Sequence, residues 1–176
     1  MKNKSILYLA QGAVIAALYI VINYAEAAIF PGSTNMAVQF RAAEALCLLA
    51  CLTPAAIPGL TVGCFIANFI SVGVMPIDLV IGTLASLLAA LAMYALRNVK
   101  LFTLPILAAL MPAVFNGILV GLEIEIFLVE GGFHFGSFLL TAGSVALGEL
   151  AVCFVLGLPL YKLMENRKLI AQAKTA

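Results

Sequence analysis

The chain has 176 residues, of which 65% are hydrophobic and 10% are charged. Soluble domains carry roughly 25% charged residues, so this composition excludes an ordinary soluble domain and indicates an all-α integral membrane protein. The net charge of +1 and the lack of a basic run give no indication of nucleic acid binding.

Six apolar segments predict six transmembrane helices in a single domain, because a helix needs about 20 residues to cross roughly 30 Å of hydrocarbon. Turn and breaker residues place them at about residues 5–25, 39–53, 57–72, 77–96, 101–123 and 137–164. The first apolar run continues past Ile20 without a cleavage-site pattern, so we expect a retained span. Pro112 lies inside the fifth segment and predicts a kink there.

Small residues in the first segment form two overlapping pairs, Gly12 with Ala16 and Ala13 with Ala17. Pairs with this spacing allow another helix to approach closely in lipid, where no hydrophobic effect drives association. The spacing alone leaves open whether that helix belongs to this chain or to a second protein.

The second segment begins with Gln39 and carries Arg41 and Glu44 one helical turn apart. On one face of a helix, the guanidinium and the carboxylate are close enough to pair. Ionisable groups inside a membrane are costly and usually face a protein interior or a wet cavity, so they are candidates for function. An ion pair that only ties helices together is the alternative for Arg41.

The later segments contribute five more polar residues, namely Asn68, Asp78, Asn116, Glu123 and Glu149. Asp78 lies in the first turn of its segment, so stabilisation of the helix N-terminus is an alternative to a binding role. His134, the single histidine, is expected in an exposed loop. The four cysteines lie in apolar segments and are expected to be small buried side chains, so we predict no metal site and no cofactor.

The distribution of basic residues predicts the orientation of the chain. With both termini in the cytoplasm, Arg41 is the only one of the nine Lys and Arg residues that lies on the outer side. The outer connections then contain Glu26, Glu123, Glu125 and Glu130 but no basic residue. In this orientation the polar side chains of five helices all lie in the outer half or near the midplane. We therefore predict a polar pocket that opens to the outside and suits a small ligand rich in N–H donors, including a cationic one.

The sequence lacks the motifs of the common catalytic sites. It has no P-loop GxxxxGK[ST], no HExxH, no GxSxG and no Rossmann glycine pattern. No pair of nucleophile and base is evident either, so a membrane enzyme is the least favoured interpretation.

Several runs of residues carry a resemblance to a known family. They are residues 39–46 (QFRAAEAL), 53–60 (TPAAIPGL), 63–68 (GCFIAN), 78–90 (DLVIGTLASLLAA), 116–123, the Gly148-Glu149 pair and residues 157–160 (GLPL). Together they resemble the QueT family of queuosine-precursor transporters, which are substrate-binding (S) components of energy-coupling factor (ECF) importers. The chain departs from the pattern at Ala43, where serine is more frequent.

The resemblance implies a six-helix S component that binds a 7-deazaguanine such as preQ1, preQ0 or queuine from outside a bacterial cell. It would join a transmembrane coupling subunit and two ATPase subunits, which explains the missing ATPase motif. The alanine motif that docks such components on the coupling subunit matches Ala13 and Ala17, and we extend the predicted docking face to Gly12 and Ala16.

The residue roles implied for the pocket are a hypothesis. Glu149 or Glu44 would accept the guanine edge, and Asn68 and Asn116 would fix the remaining ring groups. Glu123 or Asp78 would face the ammonium of the aminomethyl form, and Arg41 would neutralise Glu44. Two alternatives stay open: an S component for another vitamin or base, and a solitary proton-coupled carrier in which Glu44 and Glu149 titrate.

Overall fold

The computed structural model describes residues 4–30, 40–71, 76–129 and 131–167. In chain order, the elements are α1 (Lys4–Ile29), a 3-10 helix (Ala42–Cys51), α2 (Ala56–Ile70), α3 (Pro76–Leu96), α4 (Ile106–Ala109), α5 (Met111–Phe127), α6 (Phe135–Val152), a π-helical turn (Cys153–Gly157) and α7 (Leu158–Arg167). Over the described ranges every regular element is a helix, which confirms the all-α fold.

Four helical stretches are long and apolar enough to cross a membrane, within the part of the chain that the structure describes. They are Lys4–Ile29, Pro76–Leu96, Ile106–Phe127 and Phe135–Asn166. The remaining two apolar helices, Ala42–Cys51 and Ala56–Ile70, are shorter. A multi-pass membrane protein is therefore confirmed, whereas six crossings with both termini in the cytoplasm stay a prediction.

The 3-10 helix lies at the centre of the molecule. Every residue from Ala43 to Cys51 is buried, and the helix packs against α1, α3, α7 and the π-helical turn. Its Leu48 side chain lies beside Gly157, where an added Cβ would come within 2.8 Å of Leu48 Cδ1. Irregular helical backbone is tolerated at membrane depth when it is buried in protein, as the 3-10 helix is.

Helices α1 and α2 approach each other through small residues. A Cβ placed on Gly59 would lie 2.6 Å from the carbonyl oxygen of Gly12, and one on Gly63 would lie 3.1 Å from that of Ala16. Gly12 and Ala16 thus pack against α2 inside the chain, and their role as docking residues stays a prediction. Ala13 and Ala17 are exposed on the other face of α1 and stay predicted docking residues.

The fifth and sixth predicted segments are interrupted where their prolines and turns lie. The fifth begins only at Ile106, because residues 101–104 form a tight turn in which Phe102 and Thr103 have positive φ. It then breaks at Leu110 between α4 and α5, in agreement with the kink predicted at Pro112. In the sixth segment the π-helical turn lies just before Pro159, whose missing N–H and bulky ring disturb the preceding turn.

Candidate functional site

Arg41 lies at the start of the 3-10 helix and is a cation that interacts with four of the other predicted site residues. Its Nη2 atom donates a hydrogen bond to Oδ1 of Asn68 on α2, at 3.0 Å. The guanidinium also interacts electrostatically with Glu44 and Glu149 and with Glu123. One basic side chain therefore lies within range of acidic groups from three separate helices.

Arg41 and Glu44 do not form the ion pair that their spacing predicted. The ion pairs Lys100–Glu165 and Lys162–Glu165 lie elsewhere in the described ranges and involve neither residue. The reason is that other donors already occupy the Glu44 carboxylate: Tyr19 Oη at 2.6 Å, Cys47 Sγ at 2.8 Å and Ser86 Oγ at 3.5 Å. The prediction that Arg41 pairs with Glu44 is wrong, and the partner of Arg41 is Asn68.

The geometry of the 3-10 helix explains how Cys47 reaches Glu44. With three residues per turn, side chains at i and i+3 lie directly above one another. Cys47 is therefore stacked on Glu44, and the sequence analysis missed it as a partner because a cysteine in an apolar run resembles an ordinary core residue. Tyr19 was missed too, although a buried tyrosine hydroxyl generally requires a hydrogen-bond partner.

Asn68 is held in place from two sides. Its Nδ2 atom contacts Cys64 Sγ at 3.6 Å, and Ser86 Oγ contacts the same sulfur at 3.3 Å. Gly82 on α3 leaves room for the amide, because a Cβ there would lie 2.9 Å from Asn68 Nδ2. The amide oxygen is thereby directed at Arg41.

Asn116, Glu123 and Glu149 differ from Glu44 because they retain atoms without a hydrogen-bond partner. Over the described ranges, seven buried side-chain atoms lack one: Arg41 Nε, Thr83 Oγ1, Asn116 Nδ2 and Oδ1, Glu123 Oε1, Glu125 Oε2 and Glu149 Oε2. Five of the seven belong to predicted site residues. Asn116, Glu123 and Glu149 are each at most 2% exposed, so water does not satisfy these atoms at the surface.

Two further predicted residues lie at the edge of this group. Asp78, in the first turn of α3, is hydrogen-bonded to Glu123 on α5. Two carboxyl groups can share a hydrogen bond only when one of them carries a proton. Gln39, the remaining predicted residue, lies outside the described residues.

Thr83 was not among the predicted residues, but its hydroxyl is unusual for this chain. Thr61, Ser71 and Ser144 each donate to the backbone carbonyl four residues earlier, at 2.7–2.8 Å. Thr83 Oγ1 is buried and has no partner. Sequence alone does not reveal this difference, because all four are hydroxyl residues on apolar helices.

Two acidic residues assigned to outer connections instead bind the starts of helical segments. Glu26 Oε2 accepts a hydrogen bond from the backbone N–H of Ala42 at 2.7 Å, at the start of the 3-10 helix. Glu125 Oε1 accepts one from the N–H of His134 at 3.0 Å, just before α6. Glu123 and Glu125 lie within α5 and are buried, so their placement in a loop is wrong. His134 is exposed, as predicted.

The cysteines and acids do not form a metal centre in the part of the chain that the structure describes. No group of three or more His, Cys, Asp and Glu residues there is arranged to hold a metal ion. The four cysteines are free thiols, and all of them are buried.

The family model described as QueT transporter matches residues 9–166. This range contains every predicted site and docking residue. No curated protein and no solved structure matches the chain.

Proposed function

The chain belongs to the QueT transporter family, whose role is membrane transport of queuosine precursors, and on this premise we propose that it is the substrate-binding S component of an ECF importer. Its substrate in this proposal is a 7-deazaguanine taken up from outside the cell. The site consists of Arg41, Asn116, Glu123 and Glu149, supported by Glu44, Asn68 and Asp78.

The observation that carries this proposal is the set of buried atoms without hydrogen-bond partners. Leaving a buried donor or acceptor unsatisfied costs about 1–3 kcal/mol, so a set of such atoms on the predicted site residues indicates groups that a ligand satisfies. The set includes the acceptors Glu149 Oε2, Glu123 Oε1 and Asn116 Oδ1, and the donors Asn116 Nδ2 and Arg41 Nε.

A deazaguanine has the complementary groups. Its guanine-like edge presents adjacent N–H donors, from which the Glu149 carboxylate would accept hydrogen bonds. Its exocyclic carbonyl oxygen would accept a hydrogen bond from Asn116 or Arg41. The aminomethyl form adds an ammonium, for which Glu123 beside Asp78 provides acceptors. A charge-assisted hydrogen bond of this kind is roughly twice as strong as a neutral one.

The partners in this proposal are a transmembrane coupling subunit and two ATPase subunits. The exposed Ala13 and Ala17 on α1 would form the docking face, since small residues let a neighbouring helix approach closely. The sequence has no nucleotide-binding P-loop, which agrees with ATP hydrolysis by separate subunits.

The test is thermal stabilisation of the purified chain by a panel of ligands. We expect preQ1, preQ0 or queuine to raise Tm in a concentration-dependent way, because a ligand that binds only the folded state stabilises it by mass action. Guanine, riboflavin, thiamine and biotin serve as comparison ligands. Stabilisation by a vitamin and by no deazaguanine would overturn the proposed substrate.

The hydrogen bond between Asp78 and Glu123 favours a second candidate, a solitary proton-coupled carrier. In such a carrier the shared proton would move with the substrate, without ATPase subunits. Uptake of radiolabelled preQ1 by the chain alone in proteoliposomes, driven by a pH gradient, would establish this second function. Uptake that requires the coupling subunit and ATP would exclude it.

A further inference from the structure

Two side chains of helix α1, Tyr19 and Glu26, form hydrogen bonds with the 3-10 helix beside the site. Tyr19 donates to the Glu44 carboxylate at 2.6 Å, and seven residues later Glu26 accepts from the N–H of Ala42 at 2.7 Å. Residues seven apart lie on one face of a helix, so one side of α1 holds the 3-10 helix at two points.

Glu26 provides the cap that the 3-10 helix lacks from its own sequence. The residue before the helix is Arg41, and no side chain in the usual capping position accepts a hydrogen bond from the first turn. A carboxylate is well suited to this end of a helix, where unpaired N–H groups carry partial positive charge. The Glu26 carboxylate therefore substitutes for a local cap across 16 positions of sequence.

The capped residue directly follows Arg41. Ala42 N–H and the Arg41 carbonyl belong to one peptide unit, and that carbonyl accepts from the N–H of Glu44 at 2.9 Å. Fixing Ala42 therefore restricts the backbone from which the Arg41 side chain extends to Asn68 at 3.0 Å. Without the cap, the first turn can fray and Arg41 loses its fixed position relative to Glu123 and Glu149.

We propose that Glu26 is a positioning residue of the ligand site, which it fixes from α1 by capping the 3-10 helix at Ala42. The identity of the ligand rests on the proposed function, whereas the capping of Ala42 by Glu26 does not. Because the opposite face of α1 exposes Ala13 and Ala17, a partner docked on that face would act on the same helix that holds Arg41.

The experiment compares Glu26→Ala with Glu125→Ala in the full chain in nanodiscs. Glu125 is a matched control, because it also caps the start of a helix, with its oxygen 3.0 Å from the N–H of His134. Amide hydrogen exchange is measured by mass spectrometry, and the Kd for preQ1 is measured by calorimetry.

For Glu26→Ala we expect faster exchange confined to residues 41–46 and a Kd about fivefold weaker, the factor that corresponds to loss of a typical helix cap. Glu26→Gln keeps an acceptor oxygen, so it should restore most of the protection from exchange at residues 41–46 and most of the affinity for preQ1. Glu125→Ala should lower Tm by a similar amount without changing the Kd.

Unchanged exchange at residues 41–46 in Glu26→Ala would overturn the proposal, as would an equal loss of affinity in Glu125→Ala. If Glu149→Gln weakens binding and Glu26→Ala does not, this inference fails and the proposed function stands. If the unaltered chain binds no deazaguanine, the proposed function fails, and the exchange at residues 41–46 still decides the role of Glu26.

Discussion

The α1–α2 contact and the polar site are neighbouring regions that the chain builds in opposite ways. At the contact, backbone meets backbone, and an added Cβ on Gly59 would lie 2.6 Å from the Gly12 carbonyl oxygen. At the site, long polar side chains are buried, and Asn116, Glu123 and Glu149 keep buried atoms without hydrogen-bond partners. One region leaves no room for another atom, whereas the other leaves bonding capacity unused.

The difference separates residues that maintain the fold from those that bind a ligand. Tight packing of small residues stabilises helix pairs in lipid, whereas unsatisfied polar atoms reduce stability and need a separate reason. Glu44 combines features of both regions. It is a buried carboxylate like Glu149, but three protein groups donate hydrogen bonds to it. Two glutamates that look alike in the sequence thus differ in the structure, according to how many hydrogen-bond donors the fold supplies to each carboxylate.

The largest effect is expected at the helix contact. Gly59→Val should separate α1 from α2 and lower the free energy of unfolding by about 3 kcal/mol, because its Cβ meets backbone rather than a flexible side chain. The measurement is the unfolding midpoint in detergent. Gly143→Ala is the control, since no atom lies within 4 Å of its added Cβ, and an equal loss there would contradict the interpretation.

Glu44→Gln is expected to reduce the stability of the ligand-free protein more than its affinity for preQ1. It removes the charge that accepts from Tyr19 at 2.6 Å and from Cys47 at 2.8 Å, so the free energy of unfolding should fall by about 2 kcal/mol. Thermal unfolding of the ligand-free chain measures this. An unchanged Tm with weaker preQ1 binding would instead place Glu44 against the ligand.

Glu149→Gln should show the opposite pattern. Its Oε2 atom has no protein partner, so the ligand-free Tm should not fall, while the Kd for preQ1 should rise at least tenfold, about 1.4 kcal/mol. Calorimetry on the two Gln variants gives the comparison directly. Unchanged affinity in Glu149→Gln would remove this residue from the site.

The smallest effect is expected outside both regions, at the pair Lys100–Glu165, whose Nζ–Oε1 distance is 2.6 Å. Lys100→Ala should cost less than about 1 kcal/mol, because the side chain is 38% exposed. The hydrogen bond to Glu165 raises the pKa of Lys100 to about 12 from 10.5. A raised pKa stabilises the fold below pH 10.5 and loses that contribution as the pH rises towards 12. The unfolding midpoints of the unaltered protein and of Lys100→Ala should therefore converge as the pH rises from 10.5 towards 12.

The helical segments could be predicted from the sequence, and so could the polar residues that are candidates for the site, because both depend on composition and on strong local signals. An apolar run with a few polar residues identifies a membrane helix, and Asn116 and Glu149 stand out within such runs. In the structure Glu149 interacts electrostatically with Arg41 and Asn116 is buried, and the binding roles of both residues stay predictions.

The errors came from features that depend on tertiary contacts. The Arg41–Glu44 pair was inferred from spacing, but Tyr19 and Ser86 reach Glu44 from distant positions in the chain. Gly12 and Ala13 have the same small-residue spacing, and only the position of α2 decides which of them is packed inside. The 3-10 geometry of Ala42–Cys51 is also invisible to an apolar pattern, which does not distinguish it from an α-helix.

That geometry changes how far the central segment extends. A 3-10 helix rises about 2.0 Å per residue and an α-helix about 1.5 Å, so the 10 residues from Ala42 to Cys51 cover about 20 Å rather than about 15 Å. In a membrane-spanning orientation this length would equal two thirds of a hydrocarbon layer of roughly 30 Å, in a stretch that a 20-residue hydropathy window passes over. The length of an apolar run therefore underestimates membrane depth wherever the backbone is overwound.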